Sequence, residues 1–182
     1  ITFFSISALA QTFGSTQNIN KAFAQFKSMA QKEGLKGVSI AVSVSNTESI
    51  ALANASGADV LTGYNYHSDG LRNKKNLEVL PIDSMQVKEV ALWNQLAMQS
   101  DKAYIPAVTL NWDQRPWDNP DVKKSPRFSG FSGQSVSQSV VNSRRWIKAN
   151  ASKTTTEKIV LLYAWNEYGE GAWLTPTKKM GN

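Results

Sequence analysis

A chain of 182 residues, 41% hydrophobic and 19% charged, has enough apolar material for one sizeable core and is neither a disordered tail nor a charged linker. The formal charge is +6, yet the basic residues are scattered in pairs (Lys74-Lys75, Lys123-Lys124, Arg144-Arg145, Lys178-Lys179), which makes no nucleic-acid footprint. The absence of cysteine excludes disulfides, thiolate zinc sites and a cysteine nucleophile, and the single histidine, His67, excludes a multi-histidine metal centre. No apolar run reaches the roughly 18 residues that a membrane helix needs.

In chain order, residues 1–7 (ITFFSIS) read as a strand. The Ala8-Leu9-Ala10 triplet looks like a signal-cleavage site but lacks a basic segment before it, so the strand reading is preferred. Residues 19–33 carry Ala22, Phe23, Phe26, Met29 and Ala30 at helical spacing, and Gly34 is a natural stop. Residues 37–44 are a second strand. Residues 45–55 hold a short helix, with Ser45 or Asn46 as its cap and Glu48 in its first turn. After Gly57 comes a third strand, 58–64. Residues 68–78 read as a loop. Residues 83–100 are the best helix, capped by Asp83 or Ser84, with Val87, Val90, Ala91, Asn94 and Met98 along one side and Trp93, Leu96 and Ala97 beside it. A fourth strand (104–110), a proline-bearing loop (111–133), a helix (135–150) and a fifth strand (158–164) complete the pattern.

Alternating strands and helices predict an α/β fold with a parallel sheet and right-handed crossovers. Five strands are too few for a closed barrel, which takes about 250 residues. The expectation is either an open doubly wound sheet or the later strand-helix units of a (β/α)8 TIM-barrel type, as a single partial domain over 1–182.

The links from helix to strand are short, whereas the loops that follow strands are long and rich in aromatic, amide and acidic residues. After the third strand stand Tyr64, Asn65, Tyr66 and His67. After the fourth stand Trp112, Asp113, Gln114, Arg115, Pro116 and Trp117. After the fifth stand Trp165, Asn166, Glu167, Tyr168, Gly169, Glu170, Gly171, Ala172 and Trp173. In parallel α/β folds these loops share the face where sites are built. Indole and phenol rings stack on the apolar faces of sugars, while amides and charged groups bind hydroxyls. Stacked bases would call for a basic groove, and here Asp113, Asp118, Glu167 and Glu170 stand against Arg115. Glycosidic cleavage commonly uses two carboxyl groups, one donating a proton to the leaving oxygen and one acting as base or nucleophile. Glu167 and Glu170, three residues apart at a strand end, are the candidates. Asp113 and Arg115 read equally as a loop-shaping ion pair or as substrate contacts. His67 is a candidate hydroxyl-binding or acid/base group, and at most one of Tyr64 and Tyr66 faces the site because they alternate.

Residues 162–176 (LYAWNEYGEGAWLTP) resemble the last-strand motif of glycoside hydrolase family 99 and its family-99-like relatives, and Trp112 to Pro116 resemble a W-D-x-x-P element of the same group. The family comprises endo-acting α-mannosidases and α-mannanases on (β/α)8 barrels. The resemblance implies that Glu170 is the general acid/base and that Glu167 is the base on the sugar 2-hydroxyl. It also implies retention through a 1,2-anhydro sugar and no metal or other cofactor. Tyr168 replaces the common Trp, and Thr175 replaces the Glu before Pro176, in the mannose-specific subsite. The implied substrate is an α-linked, mannan-like polysaccharide or glycan. Tyr64, Tyr66, His67, Trp112, Asp113, Arg115, Trp117, Asn166, Tyr168 and Trp173 are the expected substrate contacts, with stacking assigned to Trp112, Trp173 and Tyr64. The first three or so strands, the missing N-terminal part of the same barrel, are the expected partner, and the expected location is secreted, periplasmic or cell-surface. The alternatives are a non-catalytic carbohydrate-binding relative and a basic nucleic-acid-binding α/β domain, the latter resting on charge alone.

Overall fold

The computed structural model describes residues 1–71, 79–116, 126–176 and 178. In chain order the elements are β1 (Thr2–Ser5), α1 (Ile6–Phe13), α2 (Thr16–Lys32), β2 (Ile40–Ser43), α3 (Thr47–Ala55), β3 (Val60–Thr62), α4 (His67–Leu71), β4 (Val79–Pro81) and α5 (Ile82–Met98). There follow β5 (Ala103–Ile105), β6 (Ala107–Thr109), β7 (Arg127–Ser129), α6 (Gly133–Ala149), β8 (Leu161–Tyr163), β9 (Asn166–Glu167) and β10 (Ala172–Trp173), with 3-10 turns at Ala151–Lys153 and Tyr168–Glu170. The chain divides into two compact units.

The first unit comprises Ile1–Tyr64, Trp93–Pro106 and Asn150–Ile159. Its sheet runs β1-β2-β3-β5, with every neighbouring pair parallel. Strands that follow one another in the chain and lie side by side in parallel require a crossover each time, and the helices supply it. The strand ends are set by side chains. Ser5 stops β1 because its hydroxyl accepts the Ala8 amide and caps α1, which takes Ile6 and Ser7 out of the expected strand and puts Ala8-Leu9-Ala10 inside a helix. Ser15 caps α2 in the same way through the Asn18 amide. At the other end of α2, Gly34 adopts φ 84°, and the amides of Gly34 and Leu35 return to the carbonyls of Gln31 and Ala30, the paired bonds of a Schellman stop. Asp59 accepts the Ile40 amide at 2.8 Å and so anchors the start of β2. On the sheet face toward α2, Phe4 meets Phe23 and Phe26, with ring centroids 6.3 and 6.2 Å away.

The second unit comprises Asn65–Leu92, Ala107–Ala149 and Val160–Asn182. It holds the parallel pairs β6-β8 and β4-β7 and the antiparallel pair β9-β10. Gly70 in α4 sits where an added Cβ would collide with Met85 Sδ and stand 2.9 Å from Phe128 Cζ, so the absence of a side chain lets the helix approach α5 and β7 this closely.

The parallel α/β class and all five expected strands are present, and α3 is capped by Asn46 as expected. Four expectations needed correction. The strand over 104–110 breaks into β5 and β6 at Pro106, which has no amide proton to give a ladder. Residues 68–71 of the loop over 68–78 belong to α4, and β4 follows that loop; residues 127–129 of the loop over 111–133 form β7, while 72–78 and 117–125 lie outside the described residues. These short strands pair with each other at long range, a partnership invisible to local pattern. The fifth strand, whose continuous apolar run reads as buried on both faces, exposes Leu162.

The fourth correction concerns α5, which turns the opposite way from the expected face. Val87 and Met98 are 71% and 74% exposed, while Met85, Gln86, Glu89, Leu92, Trp93 and Leu96 are buried. Asp83 and Ser84 lie in its first turn rather than at its cap.

Asn46 and Ser49 cap α3 reciprocally: the Ser49 amide donates to Asn46 Oδ1 at 2.8 Å and the Asn46 amide to Ser49 Oγ at 3.1 Å. Asn46→Ala is expected to destabilise the chain by about 1 kcal/mol. Chemical denaturation checks this, and an unchanged midpoint would show that the cap is dispensable.

Candidate active site

The segment directly after β8 folds back on itself. In the β9-β10 pair Glu167 lies opposite Ala172 and Asn166 opposite Trp173, with the 3-10 turn Tyr168–Glu170 between them. Gly171 closes the turn at φ 68°, its amide bonded to the Tyr168 carbonyl. A Cβ there would stand 2.8 Å from Asp113 Cβ, so glycine is demanded both by backbone conformation and by the closeness of the loop after β6. That loop is fastened to the turn by two bonds. Asn111 Nδ2 donates to the Gly171 carbonyl at 2.7 Å, and the Asp113 amide donates to the Glu170 carbonyl at 2.8 Å.

Glu170 is half-buried at the tip of this hairpin. The Tyr163 hydroxyl, from β8, donates to its Oε2, and partial desolvation raises its pKa above the ordinary carboxylate value. Glu167 is half-buried in β9, and Asn166 beside it is exposed. Trp173 meets Phe131 edge-on at 5.3 Å and Tyr168 at 6.2 Å. Tyr168 and Trp165 are exposed, and the Tyr168 hydroxyl bonds to Thr175 Oγ1.

The loop after β6 holds the second part of the constellation. Asp113 binds Arg115 through both carboxylate oxygens, with contacts of 2.6 to 3.1 Å. The Arg115 hydrogen bonds, helped by the charges of Arg115 and Arg127, hold Asp113 below its ordinary pKa. With both oxygens engaged, the pair shapes the loop. Trp112 is buried and stacks on His67, centroids 3.4 Å apart and planes 4° from parallel. His67 Nδ1 faces Asn65 Oδ1 at 2.6 Å; that oxygen can only accept, so Nδ1 carries the proton. Burial pulls the His67 pKa down to about 4. Tyr66 is buried, and its amide donates to Thr109 Oγ1 at 2.7 Å.

Asn166, Glu167, Tyr168, Glu170 and Trp173 therefore share one hairpin, which is tied to the loop bearing Trp112, Asp113 and Arg115, with His67 stacked on that loop. Tyr64 belongs to the first unit, where it is 65% exposed. Trp117 lies outside the described residues. Among the described residues no group of three or more His, Asp or Glu side chains could hold a metal, and no helix is long and apolar enough to cross a membrane.

Sequence reasoning missed Glu89. It is 1% exposed on α5, and its Oε1 accepts the Thr109 amide at the end of β6. Burial pushes its pKa up to about 8, against the opposing hydrogen bonds from Thr109. The signal was an acid at helical spacing among the apolar residues Met85, Leu92, Trp93 and Leu96.

Parallel strands joined by helices, with the chemically rich loops grouped after the strands, are the layout of a (β/α) barrel-type protein. Residues 11–182 match the family described as glycosyltransferase WbsX, and the chain belongs to that family. No curated protein matches it in sequence. Among solved structures, it is similar to a glycoside hydrolase-like protein at TM-score 0.58 and 14% identity, over 85% of this chain and 41% of the other; at that identity the likeness shows the fold alone. It also matches the GH99 endo-alpha-mannosidase from Bacteriodes thetaiotaomicron in complex with BIS-TRIS-propane, over 74% of this chain and 35% of the other, at 14% identity and a TM-score of 0.41. The chain thus spans less than half the length of either structure. The resemblance of residues 162–176 to family-99-like barrels agrees with the family match and the shared fold.

Two outcomes follow from the buried groups. As the one histidine of the sequence, His67 should show an NMR ring titration with a midpoint near 4. Below its unfolded pKa of about 6.5 the unfolded chain gains a proton that the folded chain refuses, so stability is lost as pH falls from about 6.5 toward 4. A midpoint near 6.5 would show a solvated ring. Glu89 has the opposite sign. Its folded pKa is raised, so stability is full below about 4.5 and is lost as pH rises toward 8, by at most about 1.4 kcal/mol per pH unit. Glu89→Gln should be more stable than the unchanged chain at pH 8.5 and nearly equal at pH 4.5. Parallel denaturation curves at both pH values would contradict the buried carboxyl.

Proposed function

We propose that the chain is the later part of a barrel glycoside hydrolase that acts on an α-linked, mannan-like polysaccharide or glycan. The observation that carries this reading is the environment of Glu170, a carboxyl held by the Tyr163 hydroxyl and desolvated enough to keep its proton to higher pH. That is the trait a general acid needs. In this reading Glu167 takes the proton from the sugar 2-hydroxyl while that oxygen attacks C1. The glycosidic C1–O bond breaks, and Glu170 gives its proton to the leaving oxygen. Glu170 then takes a proton from water, which attacks C1 and opens the 1,2-anhydro ring, and O2 regains its proton from Glu167. Two inversions at C1 give retention.

Trp173 and Tyr168 would stack on the sugar, with Asn166 binding hydroxyls. The His67-Trp112 stack and the Asp113-Arg115 pair would wall the pocket, and Tyr66 would hold the His67 segment through its backbone. Tyr64 and Trp117 remain proposed contacts. The N-terminal part of the same barrel would complete a single domain, without a cofactor, in a protein that is secreted, periplasmic or at the cell surface.

The family description favours a second reading, in which the same two acids pass the glycosyl group to another sugar instead of to water. Incubation with α-mannan oligosaccharides distinguishes the readings. The hydrolase reading expects new reducing ends, and Glu167→Gln or Glu170→Gln should slow the reaction by roughly 10²- to 10⁴-fold while binding persists. Products longer than the starting sugar would favour transfer. Binding without any product from the unmodified chain would leave a carbohydrate-binding relative.

A further inference from the structure

A cleft of about 550 Å³ opens in the second unit between the carboxyl ends of β4 and β7 and the first turns of α5 and α6. That volume lies within the range of small-ligand pockets, about 300–1,000 Å³. Its walls are tied together. Gln86 of α5 is buried and donates through Nε2 to the Ser135 carbonyl and to Ser139 Oγ of α6, each at 2.9 Å. Ser132 and Ser135 exchange bonds, amide to hydroxyl, at 2.9 and 3.2 Å, so the amide just before α6 and that of Ser135 in its first turn are already occupied. The polar groups at the surface of the cleft are the amides of Gln134 and Gln138, the hydroxyl of Ser129 and the carboxylate of Asp83; Gln138 Nε2 donates to Asn142 Oδ1 at 2.8 Å and Ser129 Oγ to the Leu80 carbonyl at 3.4 Å, so these two residues face a ligand chiefly as acceptors. Among the described residues its lining includes no basic side chain. The Asp83 carboxylate opposes an anion, whereas neutral amides and hydroxyls match the alternating donors and acceptors of a sugar. The segment 130–132 connects this cleft to the candidate active site: Gly130 and Ser132 line the cleft, while Phe131 between them packs edge-on against Trp173 of the hairpin that carries both glutamates.

We infer that this cleft is an additional sugar-binding subsite, which takes a neutral hexose unit of the same chain whose bond is held at Glu167 and Glu170. The inference rests on the proposed glycan substrate. The subsite would make affinity rise with chain length beyond what the hairpin alone provides.

The test uses the full chain carrying Glu170→Gln, so that ligand is not consumed, and α-linked manno-oligosaccharides of two to six units as probes in calorimetry. Gln134 and Gln138 are exposed helix positions, so replacing both by alanine should leave the fold intact. The expected result is about tenfold weaker binding of the longest probes, the worth of two lost neutral hydrogen bonds, with disaccharide binding unchanged. Ser129→Trp, which fills the rim, should give the same length-dependent loss. Unchanged binding at every length in both variants would overturn the subsite and leave the glycan reading standing, and so would equal loss at every length. No binding of any probe, even before the cleft is altered, would overturn both. Shifts of the Gln134 and Gln138 side-chain amides on adding inorganic phosphate, but not on adding the hexasaccharide, would overturn the neutral-ligand assignment.

Discussion

The candidate site depends on the fastening of two loops that are distant in sequence. The turn 168–171 and the loop after β6 are held together by the Asn111 side chain on the Gly171 carbonyl and by the Asp113 amide on the Glu170 carbonyl. Both bonds satisfy turn carbonyls that would otherwise need water, and they are possible only because Gly171 lacks the Cβ that would collide with Asp113. Neither loop alone has a reason to hold Glu170 in place. Together they set its backbone while Tyr163 sets its carboxylate.

Three acids show how environment assigns chemistry to one functional group. Asp113 is stabilised in its charged form by Arg115 and serves structure. Glu89 is cut off from water and keeps its proton near neutrality, bonded to Thr109 at the end of β6. Glu170 lies between these extremes, half-buried and held by one phenol, with its pKa raised but water still at hand. A proton donor must hold its proton and still reach its partner, and of the three only Glu170 combines both properties.

Local chemistry was legible where the competing interactions are local. The Asn46 cap needs only Ser49, three residues on, and the Gly34 stop needs only the preceding turn. The apolar strand runs, which pair in parallel and are covered by helices, were legible for the same reason. The loops rich in aromatic and acidic residues could be read as a site because such residues at strand ends have no packing task that explains them all. The face of α5 was misread because Val87, Val90, Ala91 and Met98 mark an apolar side, while the side that is buried carries the polar Gln86 and Glu89. In the fold Gln86 meets Ser135 and Ser139 and Glu89 meets Thr109, and those partners change the cost of burial. The three-residue strands β4 and β7 carry too little periodicity to be read locally and exist only because each is the other's partner.

By itself, the sequence determined the succession of strands and helices, the parallel α/β class, and the residue types gathered after the strands, because periodicity, caps and loop composition act over a few neighbours. Only the tertiary structure decided that Trp112 stacks on His67, that both oxygens of Asp113 go to Arg115, that Tyr163 rather than a second acid holds Glu170, and that Glu89 is buried. Each of these turns on which distant atoms exclude water from a polar group, and that information resides in packing rather than in spacing along the chain.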